Sequence, residues 1–209
     1  MIQITSMCLG PMSNIIYIIA DTGSKKCMVI DPAWDVKKIV HFLEANGFEL
    51  SSILLTHGHS DHCNGVNALL DYRLVPVYLS QQESPDLTPS VSTLTPITHG
   101  MNISFSDKTV CAFLTPGHTP GGCCFLIDGH LFTGDTLFID GCGRCDLPHS
   151  CVESMYESLL WLKTLPKDTW VYPGHDYAKV SCDTLENQLQ TNRFLRCGTK
   201  ERFIRLRMA

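Results

Sequence analysis

The segment Thr56-His57-Gly58-His59-Ser60-Asp61-His62 decides how this chain is interpreted. It directly follows Ser52–Leu55, which the run of apolar residues predicts to be a short buried strand. Three imidazoles and a carboxylate therefore lie at a strand end, on a loop that can turn alternate side chains towards different metal ions. Neutral imidazole and carboxylate groups suit zinc, iron or manganese, and the segment contains no thiolate. It strongly indicates a metal site.

Three later segments repeat one pattern, in which a predicted strand leads through a tight turn to a single polar side chain. They are Val110–Leu114 before His118, Leu131–Thr133 before Asp135, and Thr169–Tyr172 before His175. Each segment would deliver one ligand to a common edge of the sheets. A lone histidine or aspartate of this kind is more often structural, but these segments together with the first predict one shared metal site.

The rest of the chain has the pattern of a mixed α/β protein. Further strands are predicted at Ile2–Met7, Ile15–Ala20, Cys27–Ile30, Val75–Leu79 and Cys123–Ile127. Helices are predicted at Val36–Asn46 with Gly47 as C-cap, from about Asn64, at Val152–Leu165, and at Thr184–Phe194. Residues 81–98, with three prolines, are predicted to be irregular loop. No linker divides the chain, so residues 1–209 are predicted to form one domain.

Composition limits the classes of function. The net charge of −5 argues against a broad nucleic-acid surface, and the basic residues Lys200, Arg202, Arg205 and Arg207 are interpreted as a solvated tail. The longest early apolar run, Ile15–Ala20, is too short to span a membrane and lacks the flanks of a signal peptide, so a cytoplasmic protein is expected. The eleven cysteines are odd in number and predict free thiols.

The four motifs T-H-x-H-x-D-H, P-G-H-T-P-G, F-T-G-D and P-G-H, in this order, resemble those of the metallo-β-lactamase superfamily. The resemblance implies an α/β fold, a four-layer αββα sandwich with the site at one edge of the sheets. It implies that His57, His59 and His118 hold a first metal, that Asp61, His62 and His175 hold a second, and that Asp135 bridges the two. The remaining histidines, His41, His99, His130 and His149, match no motif and are expected to be surface or hydrogen-bonded residues.

Two adjacent metal ions suit acyl or phosphoryl hydrolysis. They can share a water whose pKa the metal lowers to about 7, and one of them can polarise the carbonyl under attack. Asp61 is the residue expected to orient the nucleophile and to relay its proton.

The loop after Asp135, Thr136 to Pro148, resembles that of the glyoxalase II-like branch, which includes thioester hydrolases. Arg144 would lie beside the metals and hold a substrate carboxylate or phosphate, unless it pairs with Asp140 or Asp146. The glutathione loop of glyoxalase II carries Lys and Tyr where this chain has Arg144 and Asp146. The loop is closer to small hydrolases, some of which act on carrier proteins. The prediction is a thioesterase with two Zn²⁺, acting on a small-molecule or carrier-protein-bound thioester.

Two other classes of function stay open. Persulfide dioxygenases share Gly-Cys-Gly-Arg and use one Fe²⁺ held by the equivalents of His57, His118 and Asp135, a set that suits non-haem iron and oxygen chemistry. Cys145 and Leu147 stand where those enzymes carry Thr and Phe, which favours a hydrolase. The third class is a non-catalytic metal-binding or scaffolding protein. The oligomeric state is not predicted.

Overall fold

The second strand of the chain, β2 (Asn14–Asp21), pairs antiparallel with β1 (Ile2–Leu9) and is buried along its whole length. Ile15, Tyr17 and Ile19 pack against residues of a second sheet, whereas the residues between them pack under helices. Because successive side chains of a strand point to opposite faces, β2 must be covered on both sides. This burial sets the layered arrangement of the chain.

The computed structural model describes residues 1–209 and contains two six-stranded sheets. The first sheet has the order β1, β2, β3 (Lys26–Ile30), β4 (Glu49–Leu54), β5 (Val77–Ser80) and β6 (Leu94–Ile97). The second runs from β7 (Met101–Phe105) through β8 (Lys108–Leu114), β9 (Cys123–Ile127), β10 (His130–Gly134) and β13 (Trp170–Pro173) to β14 (Asp183–Thr184). The short strands β11 (Leu137–Phe138) and β12 (Gly141–Cys142) form a separate hairpin.

Helices cover the outer faces of both sheets. The first sheet carries α1 (Val36–Asn46) and α3 (Val66–Tyr72), while α2 (Ser60–Cys63) is a single turn within the first histidine motif. The second sheet carries α4 (Val152–Leu162), α5 (Leu185–Thr191) and α6 (Lys200–Arg207). The layers are therefore helix, sheet, sheet, helix, which confirms the expected αββα sandwich.

The prediction of irregular loop at residues 81–98 is wrong at its end, because β6 lies there. Pro96 of β6 stands opposite Leu79 of β5, and β6 is the last strand of its sheet. Proline lacks the N–H that a central strand needs, and an edge strand tolerates this loss. Strand β7 also escaped prediction. Neither segment has the long apolar run that identified the central strands.

The interpretation of the basic residues near residue 200 as a solvated tail is wrong in part: Arg202 and Arg205 are exposed as expected, but the segment is a packed helix. They belong to α6, where the hydroxyl of Thr199 accepts a hydrogen bond from the N–H of Arg202 at 3.2 Å. Phe203 is fully buried, with its ring centroid 5.4 Å from that of Tyr156. One large apolar residue in a short helix gives little periodicity, so the sequence pattern resembles that of a solvated segment.

Two expectations about the chain as a whole can be compared with the structure. All eleven cysteines are free thiols, as their odd number and placement predicted. None of the helices has both the length and the apolar character that a membrane span requires.

Candidate metal centre

The first cluster of ligand atoms belongs to His57, His59 and His118, which lie within 4.8 Å of one another. His57 follows β4, His59 precedes α2, and His118 lies in the loop after β8. Nδ1 of His59 is 2.9 Å from Nε2 of His118. Nε2 of His57 is buried and has no hydrogen-bond partner. We call these residues the first trio.

The second cluster belongs to Asp61, His62 and His175, whose ligand atoms also lie within 4.8 Å of one another. Asp61 and His62 are in α2, and His175 follows β13. The two Nε2 atoms of His62 and His175 are 3.1 Å apart, and Oδ2 of Asp61 is 3.4 and 3.5 Å from them. We call these residues the second trio.

Asp135 lies between the trios, directly after β10. Its Oδ2 is 3.3 Å from Nε2 of His118 in the first trio. Its Oδ1 is 3.4 Å from Nε2 of both His62 and His175 in the second trio. Gly134 has a φ of +47°, which favours glycine and lets the chain turn sharply before Asp135. Gly174 is also required, because a Cβ there would stand 2.6 Å from Oδ1 of Asp135.

Four of the histidines have their Nδ1 held by an oxygen of the protein. The four contacts are Thr56 Oγ1 at 3.1 Å from His57, Asp31 Oδ2 at 2.9 Å from His62, the Arg144 carbonyl at 2.9 Å from His118, and the Met12 carbonyl at 2.8 Å from His175. An Nδ1–H that donates to these oxygens leaves Nε2 as the acceptor atom. The four Nε2 lone pairs are thereby directed into the centre.

Converging lone pairs repel each other unless a proton or a metal ion lies between them. Burial and then the neighbouring histidines lower the pKa of His57 well below its ordinary value, and burial with His118 lowers that of His59 to about 4. Burial also acts against a charge on His62, but Asp135 and the hydrogen bond to Asp31 raise its pKa above the ordinary value. Imidazole and carboxylate donors arranged in this way fit two divalent metal ions.

Asp31 supports both trios and was not among the predicted site residues. It follows β3, accepts hydrogen bonds from the N–H and hydroxyl of Thr56 at 2.8 and 2.6 Å, and accepts from His62. Thr56 in turn contacts His57. Asp31 is buried and has a φ of 50°. An acid directly after the buried run Cys27–Ile30 is the same signal that identified Asp135.

Asn14 and Glu83 were also missed, and no local pattern marks them. The Nδ2 of Asn14 donates to Oδ2 of Asp61 at 2.9 Å, while its Oδ1 accepts from the indole of Trp34 at 2.8 Å. The buried carboxylate of Glu83 accepts from the N–H of Gly58 and from the hydroxyl of Thr119, both at 2.9 Å. Glu83 thereby ties together the loops that carry the first trio.

The centre opens into a cavity of about 510 Å³. Besides residues of both trios and Asp135, the cavity is lined by the apolar and aromatic side chains Met12, Trp34, Phe138, Leu147, Pro148 and Tyr177. The ring of Tyr177 stacks on that of His175 at 4.8 Å. Arg144 also lines the cavity, but its guanidinium makes two hydrogen bonds to Asp146, at 2.9 and 2.8 Å. Of the two partners considered for Arg144, Asp146 is the one it contacts.

The structure brings together all seven residues predicted as ligands and leaves the other histidines outside. His41 is exposed, and the rest have other partners: His99 accepts from the N–H of Leu114, His130 contacts the Tyr172 hydroxyl, and His149 contacts Asp86. Cys142 and Cys145 have C-x-x-C spacing in the loop after Asp135. Both thiols are buried, and burial raises the pKa of Cys145 to about 12.

The metallo-beta-lactamase superfamily matches residues 9–175 of this chain. Among curated proteins, a probable polyketide biosynthesis zinc-dependent hydrolase of Bacillus velezensis is 36% identical over 196 residues, which is 93% of this chain and 87% of the relative. A hydroxyacylglutathione hydrolase of Enterobacter is 35% identical over 165 residues, which is 78% of this chain and 62% of the relative.

The fold of this chain is also similar to those of solved structures. ETHE1 from Myxococcus xanthus has a TM-score of 0.90 and 26% identity, covering 99% of this chain and 90% of its own. A protein solved in a di-iron-bound form, TTHA1623, has a TM-score of 0.80 and 31% identity, covering 91% of this chain and 100% of its own. Both sheets and the helices outside them therefore have close structural counterparts.

The position of Asp135 predicts that the substitution Asp135→Asn lowers the metal content. A neutral amide is a poor bridging ligand, so we expect the variant to retain at most one metal ion per chain after dialysis. Metal content is measured by elemental analysis of the purified protein. His41→Gln is the matched control and should bind as the wild type does. Full metal content in Asp135→Asn would contradict the assignment of Asp135 as the bridge.

The contacts of Asp31 predict a separate effect of Asp31→Asn on metal affinity. Asparagine tolerates a positive φ, so the backbone should be unaffected, but the amide is a weaker acceptor for His62 and Thr56. We expect zinc affinity to fall about 10- to 100-fold, as is typical for groups that orient metal-bound histidines. Competition with a chelator measures the affinity, and Asp35→Asn, in the following loop, is the control. An unchanged affinity would show that Asp31 only supports the loop.

Proposed function

We propose, from the premise that this chain belongs to the metallo-beta-lactamase superfamily, that it is a metal-dependent hydrolase of acyl thioesters. One observation carries the proposal: two trios of metal-ligating side chains share Asp135 at the floor of a largely apolar cavity. The first trio would hold one zinc ion, the second trio another, and Asp135 would bridge them. Such ions supply Lewis acidity, which polarises a carbonyl and lowers the pKa of bound water to about 7.

Asp61 is the residue that we propose to orient the attacking water and to relay its proton. Burial acts to raise the pKa of Asp61, but hydrogen bonds with His62 and Asn14 hold it well below its usual range. Its carboxylate therefore stays ionised at neutral pH. Asn14 fixes Oδ2, while Asp61 as a whole lines the cavity and can be reached by water. Asn14, itself held by Trp34, is a positioning residue for this step.

The walls of the cavity support a thioester as substrate. Met12, Trp34 and Phe138 offer apolar surface for an acyl chain or for the methylene groups beside the sulfur. The relatives are named as a polyketide biosynthesis hydrolase and a hydroxyacylglutathione hydrolase, and the second name describes an acyl thioester substrate. The chain spans 62% of the latter relative. Arg144 and Asp146 stand where the glutathione loop of glyoxalase II carries Lys and Tyr, so a carrier other than glutathione is proposed.

A persulfide dioxygenase with one Fe²⁺ is the second candidate function. The observation that favours it is the contact of His118 with Asp135, beside His57, which together form a two-histidine, one-carboxylate set of the kind used by non-haem iron enzymes. A related solved structure also holds iron, although as a di-iron form. The two functions differ in their need for oxygen.

Turnover without oxygen is the test of reaction type. As a thioesterase, the protein should release free thiol from an acyl thioester under anaerobic conditions, at the rate observed in air. Thiol release is followed with a chromogenic disulfide, and elemental analysis of protein purified without added metal should give about two zinc ions per chain. Asp135→Asn is the inactive control.

The opposite pattern would favour the dioxygenase: no anaerobic turnover, consumption of oxygen with glutathione persulfide, and about one iron per chain. A metal-loaded protein that performs neither reaction would indicate the third class, a non-catalytic metal-binding protein.

Arg144 is proposed to bind an anionic group of the substrate, in exchange for its contact with Asp146. Both side chains are largely exposed, so the ion pair between them contributes little and can be replaced. Arg144→Ala should raise KM for a thioester that carries a carboxylate or phosphate and leave kcat nearly unchanged, since binding common to ground state and transition state is lost. For an uncharged thioester the change should be slight.

Asp146→Asn separates this role from loop bracing. It frees the Arg144 guanidinium, so a substrate-binding role predicts an unchanged or lower KM for the anionic substrate. Equal losses in Arg144→Ala and Asp146→Asn, for charged and uncharged substrates alike, would mean that the ion pair only braces the loop.

A further inference from the structure

Four arginines face a common groove on the helical side of the second sheet. The groove is lined by Arg193, Arg196, Arg202 and Arg205, together with Leu206 and Ala209. We call it the arginine groove. All four guanidinium groups are exposed, and none of them lies within 4 Å of a carboxylate. In a chain with a net charge of −5, this local excess of positive charge stands out.

The fold produces this arrangement in two steps. Arg193 and Arg196 follow α5, one turn apart, while Arg202 and Arg205 lie one turn apart on α6. Burial of Phe194 and Phe203 brings the two segments together, with ring centroids 6.0 Å apart. The nearby acids do not neutralise the groove, because Glu157, on α4, pairs with Lys200. Helix α6 itself carries one acid, Glu201, against three arginines. Like charges held together repel each other, and an anionic partner would remove that cost.

A second cavity lies between the arginine groove and the cavity above the metals. It shares Phe138 and Tyr177 with the cavity above the metals, and it shares Arg193 with the arginine groove. Lys179 and Arg207 also line it, together with one acid, Asp140, so that with Arg193 its cations outnumber its acids by three to one. The guanidinium of Arg207 lies 5.7 Å from the Phe194 ring, and its buried Nε has no hydrogen-bond partner. The three cavities therefore adjoin one another, from the metal centre to the arginine groove, and we call this row of cavities the path.

We propose that the arginine groove docks an acidic carrier protein, which presents the acyl thioester on a long arm attached through a phosphodiester. This inference rests on the proposed thioesterase function and specifies its partner. The order of chemical groups in such a substrate is thioester, flexible apolar and amide arm, phosphate, acidic protein surface. The path has the matching order of metal centre, aromatic walls at Phe138 and Tyr177, cations at Lys179 and Arg207, and arginine groove. A small free thioester would occupy only the metal centre and the aromatic walls beside it, and would not reach the arginine groove.

The test compares a carrier-bound acyl thioester with the same acyl group on N-acetylcysteamine. The double variant Arg202→Glu/Arg205→Glu should lower kcat/KM for the carrier substrate about tenfold at low salt, and the loss should be in KM. Hydrolysis of the small thioester should not change. Added salt should weaken the carrier reaction in the wild type more than in the variant.

Two further variants serve as controls. Lys37→Glu/Lys167→Glu makes the same change of net charge at exposed positions elsewhere and should behave as the wild type with both substrates. Arg202→Gln/Arg205→Gln removes the positive charges without adding negative ones and should give a smaller loss. Equal losses with carrier and small thioester, or equal losses in the lysine control, would overturn the proposal.

Direct binding of the acidic carrier, without turnover, separates this proposal from the proposed function. Anisotropy of a labelled carrier should report binding that the arginine variant weakens and the lysine control does not. Binding without hydrolysis of any thioester would leave the docking surface standing and remove the thioesterase. Hydrolysis of the small thioester without carrier binding would support the thioesterase and overturn the docking surface. Tighter binding of a single-stranded oligonucleotide than of the carrier would also overturn the proposal.

Discussion

The protein depends on holding imidazole lone pairs together at one edge of two sheets. Two imidazole nitrogens 2.9 or 3.1 Å apart repel each other when both present lone pairs, unless a proton or a metal ion lies between them. The arrangement persists because Nδ1 of each of four histidines is anchored to an oxygen, and because Asp31, Asn14 and Glu83 fix the loops. These anchors come from strand ends and neighbouring loops, so the sandwich must be complete before the centre can form.

The ligand residues could be predicted because each is marked by its own sequence neighbourhood. His57 to His62 share one loop, and His118, Asp135 and His175 each follow a strand and a tight turn. Asp31 has the same signal and could have been found. Asn14 and Glu83 could not, since they act through contacts with segments distant in the chain, and nothing beside them in sequence indicates that contact. Local chemistry is visible in a sequence, whereas support across the fold is not.

The strands and helices also divide into those that their own sequence predicted and those that it did not. Central strands such as β2 were predicted because burial on both faces demands a run of apolar residues. Strand β6, at the edge and containing Pro96, and helix α6, with one buried phenylalanine, lack such a run. The misjudged helix is also the element that carries half of the arginine groove, so the error concealed a surface as well as a helix. A segment rich in charged residues can expose one face to solvent and pack the opposite face against the protein.

Each trio draws its members from both sheets. His57, His59, Asp61 and His62 extend from the first sheet, whereas His118 and His175 extend from the second, and a bridge between Asn14 and His175 joins the sheets at the same edge. A cation held by either trio would therefore act as a cross-link across the seam of the sandwich. Because the ion would bind only the folded chain, its binding would also stabilise the fold. At a free metal concentration of a hundred times Kd, the gain in the free energy of unfolding is about 2.7 kcal/mol. Loss of the metal would remove this contribution to the free energy of unfolding and weaken the attachment of the two sheets at that edge.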